Sequence, residues 1–352
     1  MLRSSLSVAA FTALLLSILL YPLRAIAEGG APPPPPPPAP WYEALRLSAF
    51  ADAYASVNYN FPKPQTGQNT FRAHDTSNGF AISWVGADVG YDPDPVGGNL
   101  ALRFGPTAQT YNSRCPSTDA LLNPCDANIG LALVKEAYAS FRPGGPEGRF
   151  QVDFGKFETI FATEVAESQR NPNYTRGLLY SLAEPWFHTG LRAELELMPE
   201  LSLTAIAVNG YNNSVDNNLG KTFGLQAHAK PTYWLSAKLG WLGGPEQDDQ
   251  TSVSCTAGYS YDASLGACTA DPTALLARDY PVERGAANQL NAWRHLVNLV
   301  IRLNPVETFE LLAGGGYGWE GARVASSSQT VTMRWYGALL SARYQLTPAW
   351  AL

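Results

Sequence analysis

After its first twenty residues the chain has no apolar run long enough to cross a bilayer as an α-helix, and its mean hydropathy is slightly negative at -0.13. Any membrane insertion must therefore use strands of alternating character. Charged residues are scarce at 15%, which argues against a dense water-soluble core, and the formal net charge of -6 argues against a nucleic-acid partner, which would want a basic face. Only four histidines occur, His74, His188, His228 and His295, far apart in sequence. There is no G-x-S-x-G elbow, no H-E-x-x-H and no phosphate-binding glycine loop, so motif-based enzyme classes fall away and no cofactor or metal is expected. His188 reads as a hydrogen-bonding residue at a strand start rather than a base. What is plentiful is Gly (31), Pro (27), Trp (9) and Tyr (17), a mix suited to turns and interfacial aromatic girdles, although a secreted β-sandwich or β-helix shares it.

The N-terminus carries Arg3, an apolar run from Leu6 to Leu20 and then Ala25-Ile26-Ala27, the small-x-small pattern that precedes cleavage of a secretory signal. The expected signal is 1–27, with the mature chain starting at Glu28. Residues 32 to 38 are seven consecutive prolines, an extended polyproline II spacer of about 3 Å per residue within a periplasmic linker, 28–42.

From Leu45 the chain alternates: Leu45, Leu47, Ala49, Ala51, Ala53, Ala55, Val57 and Tyr59 face one way, and Arg46, Ser48, Phe50, Asp52, Tyr54, Ser56, Asn58 and Asn60 the other. Strands are expected at 45–60, 78–91, 99–111, 131–142, 149–158, 188–197, 201–211, 221–230, 233–242, 291–303, 306–319 and 331–345. Strands 78–91 and 201–211 alternate poorly, and Lys135 sits on an otherwise apolar face. Connections alternate long (61–77, 112–130, 159–187, 212–220, 243–290, 320–330) and short. That is the pattern of an antiparallel up-and-down transmembrane β-barrel spanning 43–352, with its N-terminus in the periplasm and its long loops outside. About twelve strands are present. The chain stops one step into a thirteenth and lacks the terminal aromatic residue usually offered to the outer-membrane assembly machinery; because bacterial barrels close with even numbers, 14–16 strands are expected in the intact protein. If 352 is the true end, a closed twelve-strand barrel is the fallback.

The four cysteines form two local pairs, Cys115 with Cys125 and Cys255 with Cys268, each in a polar loop. In an exported chain they read as two disulfides, since neither pair has zinc-site spacing or a nearby histidine.

The densest polar stretch runs from Asp153 to Gly190. A loop of this kind folds either into the lumen or outward, held in the second case by surface ion pairs. In the first, Lys156, Arg170 and Arg176 would face Glu158, Glu164 and Glu167 across a constriction.

The stretches Asp153-Phe154-Gly155-Lys156-Phe157, Glu164-Val165, Asn171-Pro172-Asn173-Tyr174-Thr175-Arg176, Pro185-Trp186-Phe187-His188-Thr189-Gly190-Leu191-Arg192, Val208-Asn209-Gly210-Tyr211-Asn212 and Asp216-Asn217-Asn218-Leu219-Gly220-Lys221-Thr222 resemble the β-barrel porin-2 (OmpL-like) family. So do Asp52-Ala53-Tyr54 and Gly243-Gly244-Pro245-Glu246. The resemblance covers about residue 43 to the end and implies an outer-membrane porin fold, with the 159–187 loop turned inward. The cysteine loops are outside the pattern.

The expected activity is passive diffusion of small hydrophilic solutes across a bacterial outer membrane, with lipid as the surrounding partner and no turnover chemistry. Lumen-facing charges by parity are Arg46, Arg103, Arg192, Lys238, Arg294 and Arg302 against Asp52, Glu136, Asp153, Glu194 and Glu196. The alternatives are a plugged barrel whose 243–290 loop binds a partner, and a barrel-rim hydrolase assembled from separate strands.

Overall fold

The computed structural model describes residues 41–59, 78–113, 130–216, 218, 220–246, 253–255, 257–262, 267–271, 273, 278–280, 293–323, 330–347 and 350–351. The expected signal segment, the proline tract and the Cys115–Cys125 pair lie outside the described residues. The chain divides into Met1–Trp41 and Tyr42–Leu352, and every strand belongs to the second unit.

Alternating side chains produce long strands, and each strand pairs antiparallel with the next. In chain order they are β1 (Leu45–Val57), β2 (Asn78–Tyr91), β3 (Val96–Phe104), β4 (Val134–Phe141), β5 (Phe150–Glu158), β6 (Phe187–Met198), β7 (Leu201–Val208), β8 (Thr222–Thr232) and β9 (Leu235–Pro245). Four short strands follow, β10 (Val253–Cys255), β11 (Tyr259–Asp262), β12 (Ala267–Ala270) and β13 (Arg278–Tyr280). The chain then continues in β14 (Trp293–Val306), β15 (Phe309–Arg323), β16 (Thr330–Thr347) and β17 (Trp350–Ala351). One thirteen-stranded sheet runs β1 to β9 and then β14 to β17 without a crossover, an up-and-down ladder with β1 and β17 at its edges.

The two faces of this sheet are packed in the reverse of a soluble protein. Outward apolar side chains lie open, among them Phe80 at 95% exposure, Leu340 at 73%, Leu47 at 71% and Phe154 at 67%. Among the described residues, apolar side chains buried on the other face include two clusters. One joins Phe157, Ile206, Val208, Leu242 and Leu296 to Phe161 of the loop between β5 and β6. The second joins Trp84 to Ala108, Tyr111, Ala166 and Tyr180. An apolar surface of this extent needs a covering partner, and on a sheet whose polar side chains lie on the opposite face it suits a lipid-facing wall. On the same outer face His295 stacks against Trp241 (centroids 6.0 Å apart) and Trp319 (4.7 Å), a cross-strand aromatic row of the kind that marks a membrane interface.

Several expected boundaries are corrected. The strand expected at 99–111 ends at Phe104, because Pro106 removes a ladder donor and residues Pro106–Tyr111 turn into a short helix, α1. Leu131–Leu133 are a 3-10 turn before β4 rather than strand. The connection expected at 243–290 contains β10 paired with β13 and β11 paired with β12, the Cys255–Cys268 disulfide (Cα–Cα 5.7 Å) tying one pair to the other.

Candidate functional site

The loop from 159 to 186 lies on the polar face of the sheet, and its seat is built from complementary small and polar residues. Gly224 on β8 and Gly240 on β9 leave the space that the Phe161 ring fills; a Cβ at either would come within 2.6 Å of it. Asn298 of β14 donates its Nδ2 to the Phe161 carbonyl (2.6 Å), and Gln226 of β8 donates to the Ile160 carbonyl. At the far side of the loop, Asp52 on β1 accepts from Ser168 Oγ (2.5 Å) and from Tyr174 Oη (2.9 Å). Asn173 Nδ2 reaches Ser341 Oγ of β16 at 3.4 Å, and Trp335 Nε1 of β16 donates to the Ala183 carbonyl at 3.3 Å. The loop thus touches strands from β1 to β16.

Its ionic anchor is Glu167. One carboxylate oxygen accepts from Arg103 Nε (3.2 Å) and Nη2 (2.9 Å) and from the Lys135 ammonium, all three residues being buried. Lys135 also meets Glu158 at 2.9 Å, Arg103 meets Asp88 at 2.6 Å, and Arg170 meets Glu158 at 3.2 Å. Glu136 extends the network by accepting from Asn99 Nδ2 (2.9 Å) and the Glu158 backbone N–H (3.1 Å). Burial pushes the Glu167 carboxyl up, but Lys135 and Arg103 together outweigh it and hold it below its ordinary range.

A second loop carboxylate has no cation within ion-pair distance among the described residues. Glu184 is buried and accepts from the Thr163 backbone N–H (2.9 Å) and Oγ1 (2.6 Å); burial pushes it up to about 7 despite those bonds, with Glu164 adding to the rise. Glu164, which accepts from the Gly177 N–H at 2.8 Å, is raised by burial as well, against the pull of that bond and of Arg176.

The six residues expected at a constriction do not form one cluster. Glu158, Glu167 and Arg170 are joined in the network above. Glu164 and Arg176 lie on the other side of the loop, where Arg176 is buried, donates Nη1 to the Tyr174 carbonyl (2.7 Å) and lies 5.3 Å from the Tyr111 ring centroid. Lys156 is apart from both: its ammonium takes the Asn112 carbonyl at 2.6 Å and sits 4.1 Å over Phe187.

Of the charges placed by parity on the polar face, Asp52, Arg103 and Glu136 meet the loop or its network. Asp153 pairs with Arg192 (2.7 Å), Arg294 with Glu320 (2.8 Å), Arg302 with Glu310 (3.2 Å) and Arg46 with Asp92 (3.0 Å). Glu194 and Glu196 are exposed on β6, and Lys238 is half-buried on β9. His188 uses both ring nitrogens structurally, Nδ1 toward the Gly210 carbonyl at 2.9 Å and Nε2 with Thr159 Oγ1 at 3.0 Å. The sequence pattern left out Asp88, Glu184 and Gln226. It flagged Lys135 only as a misfit, for which the register gives the reason: Ala101 pairs with Glu136 and Leu102 with Val134, so a bulge turns Lys135 to the polar face.

No curated protein matches the chain. Among solved structures it is similar to a refined porin, at 11% identity and a TM-score of 0.38, over 86% of this chain and 80% of that one. It is similar also to a BenF-like porin from Pseudomonas fluorescens Pf-5 (13%, 0.34, 87% and 65%) and to the outer-membrane protein OmpT of Vibrio cholerae (11%, 0.31, 86% and 82%). The family described as "Putative beta-barrel porin-2, OmpL-like" matches residues 44–352, and the chain belongs to that family.

Proposed function

We propose that the protein lets small hydrophilic solutes diffuse passively across the outer membrane through a water-filled barrel, narrowed by the loop 159–186. The observation that carries this reading is the inverted packing: apolar side chains open on the outside, with a charged loop seated on the polar face. In this reading residues 1–27 are a cleaved signal, 28–42 a periplasmic linker and 43–352 the pore domain. Glu158, Glu164, Glu167, Arg170 and Arg176 surround the narrowing from the loop side, with Lys156 bracing its root. Ion pairs held across a lumen set a transverse field that orients polar solutes.

The test is conductance of the full-length protein in a planar bilayer. Deleting 160–170 is expected to raise single-channel conductance, and Glu158→Gln combined with Glu164→Gln to move permeation toward anions. Unchanged conductance and reversal potentials would place the loop outside the current path. The two apolar clusters under the loop favour a second reading, a plugged barrel that binds a partner through its disulfide-tied 253–280 segment. Absence of any current distinguishes it.

A further inference from the structure

Most charges around the loop are neutralised by one another. Arg103, Lys135 and Arg170 are each within ion-pair distance of Glu167, and each has a further carboxylate at hand, Asp88 or Glu158. The periplasmic end of the same face is different. Inward positions of β8 carry His228 and Lys230, those of β9 carry Ser236 and Lys238, and that of β14 carries Arg302. The register brings them side by side: His228 pairs with Lys238, Lys238 with Val300, and Ser236 with Arg302. His228 Nε2 and Ser236 Oγ are 2.9 Å apart. Arg302 has Glu310 at 3.2 Å, while Lys238 has no carboxylate within ion-pair distance among the described residues.

Exposure rises along these strands from the loop toward this patch. Gln226, Gly240 and Asn298, which lie under the loop, are buried; His228 and Lys238 are half-buried; Lys230 and Arg302 are exposed. Two residues of strand span about 7 Å, so the patch starts one inward step below the loop and faces open solvent. Of the neighbouring acidic residues, Glu310 on β15 lies beside Arg302, Glu200 accepts the Lys230 backbone N–H at its carbonyl, and Glu194 and Glu196 on β6 are separated from β8 by β7 with Ser202 and Thr204.

We propose that His228, Lys230, Lys238 and Arg302 form a subsite for small oxyanions, carboxylate- or phosphate-bearing solutes, on the periplasmic side of the loop. This rests on the diffusion reading. A solute leaving the narrowing meets a wall whose cations are not all matched by carboxylates, so selectivity is set here rather than by the self-neutralised loop. Lysine supplies a mobile point charge, arginine a planar donor fork, and His228 with Ser236 a neutral rim of hydrogen-bonding groups. A unit charge about 4 Å from a passing ion in water changes its local occupancy about five-fold, less at high salt.

The experiment uses the full chain in a planar bilayer under a potassium chloride gradient, then inorganic phosphate and acetate added separately on each side. The wild type is expected to prefer chloride over potassium, more strongly at low salt, and chloride current should fall saturably with phosphate or acetate, at lower concentration from the periplasmic side. Lys238→Gln should cut the chloride preference about five-fold and weaken the block. Lys230→Gln should act in the same direction, and Lys238→Arg should retain both properties; heat-modifiable gel mobility checks folding of each variant. A conducting wild type whose selectivity and block are unmoved by both glutamine variants overturns the subsite and leaves the diffusion reading standing. A folded wild type that passes no current overturns the diffusion reading itself.

Discussion

Replacing Glu167 by Gln removes the charge on which two buried cations converge. Arg103 loses its contacts at 3.2 and 2.9 Å as charged bonds but keeps Asp88 at 2.6 Å; Lys135 keeps Glu158 at 2.9 Å. Breaking a buried pair by removing one partner costs about 3–5 kcal/mol. The remaining carboxylates and the amide oxygen of the new side chain put this case at the lower end. At about 3 kcal/mol, and 1.4 kcal/mol per factor of ten, the undocked loop population rises about a hundredfold. Arg176 reports on it, because its side chain is buried while the loop is docked, whereas Arg170 is already 54% exposed in the docked loop. When opening and closing are fast relative to cleavage, proteolysis follows the population of the open form. Trypsin should therefore cut after Arg176 about a hundredfold faster in the variant, with cutting after Arg170 changed far less, and single channels should show added gating steps. A folded Glu167→Gln protein whose cleavage after Arg176 stays within about three-fold of wild type would refute the anchor.

Loop docking should also depend on pH in two opposed ways. Glu167 is held low, so its contribution is present above the ordinary carboxylate value and is lost as pH falls through the depressed one; Glu184 is raised to about 7, so its contribution is present below about 4.5 and is lost as pH rises toward 7. Gating events should be rarest near pH 4.5 and increase on either side, and Glu184→Gln should reduce the alkaline limb, to which the raised Glu164 also contributes, and leave the acid limb unchanged; an unchanged profile would remove Glu184 from the account. Cys255→Ser should loosen the β10–β13 segment without unfolding the sheet, since closing a loop this short is worth about 3 kcal/mol at most. Heat-modifiable mobility that disappeared in that variant would contradict it.

Alternation was enough to read most strands, because a wall with lipid on one side and water on the other demands period two. Where the pattern lapsed, the loop is the cause. β2 turns Trp84 inward at the bulge between Asp52 and Ala53, and β7 turns Ile206 and Val208 inward, each to meet the apolar side of the loop or of α1. An inner face that meets protein instead of water loses its polar signature. Lys135 is the converse, a charge that looked misplaced until a bulge in β4 brought it to Glu167. The paired acids and bases of the loop were visible as composition. Which of them meet was not, because Arg103 and Glu167 are 64 residues apart and their contact depends on register.

The loop's contacts at Asp52 and Ser341 give it a mechanical role. Tyr174 and Asn173, neighbours in sequence, grip β1, at one edge of the hydrogen-bonded ladder, and β16, next to the other edge. One short stretch of loop therefore links strands that the ladder itself holds far apart. The loop seated on the polar face is thus also a tie between β1 and β16, so insertions at its tip are expected to loosen both strands at once.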